Sequence, residues 1–299
     1  AAIQAGADAV YFGVGKLNMR SASAANFTLD DLSKIVATAR GAGVKSYLTV
    51  NTVVYEDEIA EVHAVIDRAK TAGVDAVIAS DLAAILYARR IGQEVHISTQ
   101  CNVSNSEAVR FFAQWADTVV LARELTLDEI RAIREHLDPE IELEVFIHGS
   151  MCVSYSGRCL LANALNGRDG NRGTCTQPCR WNYTLIEEKR PNDRIPIEET
   201  NLGTFIMSSK DLCMIEHIPE LCESGVASFK IEGRMKSAYY TAVVTNAYRM
   251  AIDAYLADPA GYRFDERLRT ELESVSHREY GTGFFYAKPM ENPGLVSTC

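Results

Sequence analysis

Along this chain, apolar runs of strand length alternate with stretches whose apolar positions recur at helical spacing. The strand-like runs are DAVYFGV (8–14), KSYLTVN (45–51), DAVIASD (75–81), VHISTQ (95–100), DTVVLARE (117–124), LEVFIHG (143–149) and VASFKIEG (226–233). Between them, LDDLSKIVATARGAG (29–43), IAEVHAVIDRAKTAG (59–73) and LTLDEIRAIREHL (125–137) carry the 3.6-residue period of amphipathic helices. Gly43 and Gly73 stand where C-cap glycines close helices, and AGVKSY and AGVDAV lead directly into strands. Nearly continuous apolar strands linked by helices predict a parallel sheet. Seven runs and one lost upstream make eight, so the expected fold is α/β, a (β/α)8 barrel of the TIM type. A doubly wound open sheet is the alternative, and the short run TFIMSS (204–209) complicates the count.

Both ends read as cut. Ala1 is not a start methionine and AAIQAGA reads as a helix tail, while HREYGTGFFYAKPMENPG turns from helical pattern to turn-rich sequence. The expected organisation is a barrel over 1–285 without its first strand, including a Cys-rich insertion at 150–205. A linker over 286–299 then leads toward a missing small β-rich domain.

A barrel puts its chemistry where strands end. Those positions carry Asn51, Asp81, Thr99 with Gln100, Arg123 with Glu124, His148, and Lys230 with Glu232; Asn18 and Arg20 closely follow the first strand. Asp81, opening DLAAILYARR, also suits a plain N-cap. The insertion at 150–205 is too long for an ordinary βα loop. It holds Cys152 and Cys159 as C-x6-C, Cys175 and Cys179 as C-x3-C, and Arg158, Arg168, Arg172 and Arg180.

Composition decides how to read those cysteines. A chain of 299 residues, 47% hydrophobic, can bury a large core without disulfide staples. It has no signal-peptide pattern and no run approaching the ~18 apolar residues of a membrane helix, which predicts a cytoplasmic protein with no membrane contact. In a reducing compartment, clustered cysteines are more often metal ligands or catalytic thiols than bridges. Zinc suits the C-x3-C pair but fits C-x6-C poorly, whereas an iron–sulfur cluster accepts uneven spacing. Cys213 is a fifth candidate, expected to point off the apolar face of a helix beginning near Lys210. Cys222 reads as core, and Cys101 and Cys299 have no cysteine neighbours.

The block EVFIHGSMCVSYSGRC resembles the signature of the peptidase U32 family, E-x-F-x2-G-[SA]-[LIVM]-C-x4-G-x-C, departing from the family at Ala162, where a serine is usual. AGADAVYFG, FIMSSKDLCMIEHIPEL and SFKIEGRMKSAYYTAVVTNAYRMAIDAY are similar to the same family, so the resemblance spans nearly the whole chain. The family name implies a collagenase-like peptidase, yet the chain has no H-E-x-x-H or G-x-S-x-G motif. Other branches imply hydroxylation without molecular oxygen, of a transfer-RNA wobble uridine, a ribosomal-RNA cytidine or a quinone precursor. The stretch GRDGNRGTCTQPCRWNYTLIEEKRP is most similar to the transfer-RNA branch, which implies 5-hydroxyuridine as product and prephenate as hydroxyl source. The resemblance also implies a [4Fe–4S] cluster on Cys152, Cys159, Cys175 and Cys213, with Cys179 as the alternative, and zinc as the lesser candidate.

For such a reaction Arg20, Arg158, Arg172, Lys230 and Arg234 are candidate clamps for an anionic co-substrate, with Asn18 and Asn51 beside them. His148, Tyr155, Gln100 and Glu232 are candidate catalytic groups. A net charge of −10 and pI near 5.2 are unlike a dedicated nucleic-acid binder and argue against DNA. Locally, Arg158, Arg168, Arg172, Arg180 and Lys189 interleave with Trp181 and Tyr183, a mixture suited to stacking a base and gripping phosphate. Transfer RNA is the partner that the resemblance implies, and a second U32-family subunit is a further one. A zinc-stabilised binding module without chemistry is the remaining alternative.

Overall fold

A computed structural model of the chain describes residues 1–19, 21, 27–152, 154–181, 184–187, 190–196 and 210–287. Arg20, Tyr183, Lys189, the TFIMSS run, Cys299 and most of the expected C-terminal linker lie outside the described residues.

All seven strand-like runs form strands: β1 (Ala9–Gly13), β2 (Lys45–Val50), β3 (Ala76–Ala79), β4 (Glu94–Ile97), β5 (Thr118–Val120), β6 (Glu142–Ser150) and, later in the chain, a strand at Ser228–Ile231. Among them stand helices α1 (Leu32–Gly41), α2 (Ile59–Ala72), α3 (Leu82–Arg90), α4 (Ser106–Ala113) and α5 (Leu127–Glu135). Neighbours pair in parallel from β1 through β6, and the strand at Ser228–Ile231 pairs in parallel with β6. Fully buried strands such as AVIA of β3 need cover on both faces, which the helices supply. The Tyr11 hydroxyl of β1 donates to the Ile231 carbonyl at 3.1 Å, bringing the first and last parallel strands together. The architecture is an α/β barrel of the TIM type.

The inserted segment contributes α6 (Leu161–Asn166) and an antiparallel hairpin, β7 (Thr184–Glu187) with β8 (Arg190–Pro196). Then comes a correction. The helix expected from Lys210 is instead strand β9 (Asp211–Cys213), and α7 spans only Ile218–Cys222. Pro219 explains the late start, since proline fits a helix's first turn and not its interior. β9 runs antiparallel to the end of β6, with His148 opposite Cys213 and Ser150 opposite Asp211. The remaining elements are β10 (Ser228–Ile231, the seventh parallel strand), α8 (Ala238–Ala257), α9 (Glu266–Glu273) and β11 (Tyr280–Gly281), which pairs with β9.

Two details aim the strand ends. Lys230 pairs with Phe146 but Ile231 with His148, so Ile147 is an extra residue in β6 and the in–out alternation slips there. Gly149 has φ +111°, and a Cβ on it would lie 2.5 Å from the Glu232 carbonyl oxygen. Only glycine lets β6 pass Glu232 this closely. Outside the strands, α8 buries Tyr240, Val244, Tyr248, Ala251 and Tyr255 along one face. Fully buried aliphatics such as Leu48, Ile85, Ile97 and Leu143 each contribute about 2 kcal/mol of apolar transfer.

Candidate active site at the barrel mouth

The Cys-rich segment leaves β6 at Ser150 and folds over the C-terminal ends of the strands. Short-range bonds shape it: Asp169 accepts from the Asn171 N–H at 2.8 Å, and Asn171 clasps Cys159 through its N–H (3.1 Å) and its carbonyl (3.2 Å). Longer-range bonds dock it. Arg172 pairs with both Glu58 oxygens and donates to the Val53 carbonyl at 2.6 Å. The bond from Arg172 holds the Glu58 carboxyl near pKa 2, outweighing the upward push of burial. Gly173, at φ +80°, passes so close to the connection after β1 that a Cβ would sit 2.3 Å from the Asn18 carbonyl oxygen and 2.4 Å from Ser21 Oγ.

Docked in this way, the segment brings Cys152, Cys159, Cys175 and Cys179 to the wall of one cavity of about 90 Å³. All four are free thiols. Backbone N–H groups aim at two of the sulfurs, Leu161 at Cys159 Sγ and Gln177 at Cys175 Sγ, each at 3.3 Å. Such donors favour the thiolate and tune metal-bound sulfur. Burial pushes the Cys179 thiol up; Arg180 opposes this, and the neighbouring Cys152, Cys175 and Cys159 add to it. As the side chains stand, no group of three or more His, Cys, Asp or Glu among the described residues could hold a single metal ion. Zinc needs its thiolates about 3.8 Å apart, from Zn–S bonds of about 2.3 Å in a tetrahedron, whereas a cubane takes them at separated corners. Four thiols on one cavity wall are a donor set that fits the all-thiolate ligation of an iron–sulfur cluster.

Cys213 is placed differently. It is buried in β9, outside that cavity's lining, where Tyr248 and the Ile215 N–H bond its sulfur. The fourth thiol facing Cys152, Cys159 and Cys175 is Cys179.

Opposite the cysteines, strand ends form a polar floor. Lys230 and Glu144 make a buried pair at 2.6 Å, and Ser228 adds a 2.7 Å bond to the same carboxylate. Burial alone would raise the Glu144 carboxyl, but Lys230 and then Ser228 outweigh it and keep the group ionised. The Lys230 ammonium lies 4.6 Å from the Tyr11 ring centre, and Tyr11 donates to Glu232 at 3.1 Å. Burial, then Glu232, pushes the Tyr11 hydroxyl far above its ordinary value, so it stays protonated. Arg234 donates its N–H to Glu232 (3.0 Å) and its guanidinium to Thr49 (2.9 Å). Arg123 stacks 4.1 Å from the Phe146 ring centre and donates to the Ser150 carbonyl at 3.2 Å. On the far side, the Asn51 amide donates to Gln100 at 3.1 Å. Asn51, Gln100, Lys230, Glu232 and Arg234 thus meet around one space.

Other expected site residues fall elsewhere. The slip at Ile147 turns His148 away from the cavity and against Tyr240 and Tyr248 of α8. There it is 1% exposed, Nδ1 lies 3.3 Å from the Tyr248 hydroxyl, Nε2 has no partner, and burial lowers its pKa to about 3. It cannot serve as a neutral-pH proton carrier for this cavity. Arg172 is the docking strut already described. Asn18 spends its amide on the Gly15 carbonyl (3.1 Å) and the Val14 carbonyl (3.4 Å), holding the turn after β1. Arg158 and Tyr155 are exposed on the outer surface of the loop and do not line the cavity. Asp81 is an N-cap, accepting from Ala83 at 3.0 Å. Conversely, Tyr11, Arg123 and Arg180 line the cavity; the sequence marks Arg123 as a strand end and Arg180 as a loop arginine, but gives neither as a site group, and it does not mark Tyr11. The sequence signal for Arg123 was its strand-end position; Tyr11 had none beyond lying within β1.

Fold and site together define an α/β-barrel protein whose mouth is covered by a loop presenting four thiols. The profile of peptidase family U32 matches residues 1–293. A "Collagenase" of Porphyromonas gingivalis is 45% identical over 95% of this chain and 70% of its own length. An uncharacterized protease of Methanocaldococcus jannaschii is 47% identical, covering 95% of this chain and 69% of that protein. "tRNA hydroxylation protein P1" of Bacillus subtilis is 41% identical, covering 96% and 68%. The chain belongs to peptidase family U32 and is an enzyme of that family.

Proposed function

We propose that this protein hydroxylates RNA without molecular oxygen, converting a transfer-RNA wobble uridine to 5-hydroxyuridine, with a [4Fe–4S] cluster and prephenate as hydroxyl source. The observation that carries the reading is the gathering of four thiols over the polar floor of the barrel. The names of the Bacillus subtilis relative and of the Escherichia coli relative, 36% identical, support RNA as the substrate. Cys152, Cys159, Cys175 and Cys179 would hold the cluster, which supplies electron transfer or activation of the oxygen donor. The other residues bind and orient. Arg123, Lys230 and Arg234 offer positive charge to an anionic co-substrate. The Asn51 and Gln100 amides can read the imide edge of a uracil, and Glu232, held by Tyr11 and Arg234, can take or return a proton. A cytoplasmic location suits this chemistry, and no helix among the described residues is long and apolar enough to cross a membrane.

The collagenase-like reading has less support at the cavity. No histidine lines it among the described residues, and Ser98 is bonded to the Asn51 and Gln100 amides rather than to a base. The test has two arms. Anaerobically purified protein should contain equal amounts of iron and acid-labile sulfide, and transfer RNA from a deletion strain should lose 5-hydroxyuridine derivatives by mass spectrometry. Colourless, iron-free protein after anaerobic reconstitution, or unchanged nucleosides, overturns the proposal. Cys179→Ser should lose the cluster and Cys213→Ser should retain it.

A further inference from the structure

A second, outer chamber of about 220 Å³ adjoins the cavity and shares four wall residues with it: Ser150, Gln177, Arg180 and Glu232. Met235 and Lys236 complete its wall. The shared walls set the outer space beside the one that holds the thiols and the barrel floor. The wall carries two cations, Arg180 and Lys236, and one anion, Glu232, and Lys236 also pairs with the buried Asp211 at 3.6 Å. Large apolar side chains on and near these wall segments are exposed: Met235 of the wall is 46% exposed, Trp181, next in sequence to Arg180, is 50%, and Tyr239, three residues beyond Lys236, is 63%. Exposed tryptophan and tyrosine beside cations are what unpaired bases stack on.

Depth adds a second argument. The groups able to act on a substrate lie inside, with Asn51 and Glu232 each 6% exposed and Lys230 7%. A base stacked and paired in a duplex cannot reach such a floor; it must leave the stack.

We infer that the outer chamber is a nucleotide-holding subsite. It takes one unpaired nucleotide of a single-stranded RNA, with Trp181 and Met235 against the base plane and Arg180 and Lys236 beside the phosphate. This rests on the RNA reading above and sharpens it: the substrate must present its target base in a loop, extruded from the stack. Lys236 also donates to the Ser276 carbonyl at 2.8 Å, which holds its ammonium at the chamber wall.

The test measures binding by fluorescence anisotropy, which does not depend on turnover. The probes are a labelled anticodon stem–loop RNA and the same sequence annealed into a full duplex. The wild-type chain should bind the stem–loop at least tenfold more tightly than the duplex. Trp181→Ala and Lys236→Gln should each weaken stem–loop binding about tenfold, Trp181→Phe should restore most of it, and the iron content of all three variants should match wild type. Stem–loop binding unchanged in both Trp181→Ala and Lys236→Gln, or equal affinity for the duplex, overturns the subsite and leaves the RNA reading standing. A wild-type chain that binds neither RNA overturns both.

Discussion

At the scale of single residues, environment reassigns side chains whose type alone suggested chemistry. His148 ends an apolar strand within the family-like block, which made it a candidate proton carrier, yet one extra residue in β6 turns it into a buried ring of tyrosines. Burial depresses its pKa from 6.5 to about 3. The unfolded chain therefore takes up a proton at this ring as the pH falls through about 6.5, and the folded chain does not until about 3. The stabilisation that neutral His148 gives is complete above about pH 6.5 and is lost as the pH falls toward 3, at up to about 1.4 kcal/mol per pH unit. Urea unfolding of wild type and His148→Gln should then converge: the wild-type advantage at pH 8 should shrink by pH 5. A constant difference across that range would mean that the ring is not held neutral. Arg172 was misread for a similar reason, because nothing in GNRG indicates a carboxylate at Glu58, far back in sequence, as its partner. Arg123 and Glu232 were legible because strand-end position alone predicts their location.

Elements were legible where a long-range constraint was not needed. The period of apolar residues locates β1 to β6, β10 and the helices around them, since burial on both faces leaves a continuous apolar run. β9 was not legible: three residues are too few to show a period, and pairing with distant β6 and β11 makes DLC a strand. The same limit applied to the cysteines, because spacing cannot place Cys179 and Cys213, while docking of the loop puts Cys179 on the cavity wall with Cys152, Cys159 and Cys175. Gly173 is the tightest point of that docking. Gly173→Ala would force a left-handed alanine and a Cβ within 2.4 Å of both Asn18 and Ser21 atoms, so the loop must lift from the turn after β1. The barrel does not depend on this contact. The expected outcome is a variant with wild-type circular dichroism in its helical bands but with iron binding after reconstitution largely lost. Wild-type iron content in Gly173→Ala would show that the four thiols assemble without this contact.

For the molecule as a whole, charge and site pull in opposite directions. A net charge of −10 repels a polyanion at long range, whereas the outer chamber offers Arg180 and Lys236 beside Glu232, with Arg158 and Arg168 exposed on the loop that carries Arg180. Salt screens the repulsion and the attraction together, so the salt dependence of RNA binding reports how many phosphates the protein neutralises. A basic groove touching six to ten phosphates loses affinity steeply with salt. Two to four contacts to a single-stranded loop predict a slope of about −1.4 to −2.8 in log affinity against log salt, from about −0.7 per phosphate. Most of the affinity would then come from stacking and from the fit of one base into the outer chamber, terms that salt hardly touches. Anisotropy titrations of the stem–loop RNA across a range of potassium chloride concentrations should give that shallow line, and Lys236→Gln should flatten it by a little under one further unit. A slope steeper than about −4 would place the RNA on a wide basic surface outside the chamber, and the recognition by one extruded nucleotide would have to be abandoned.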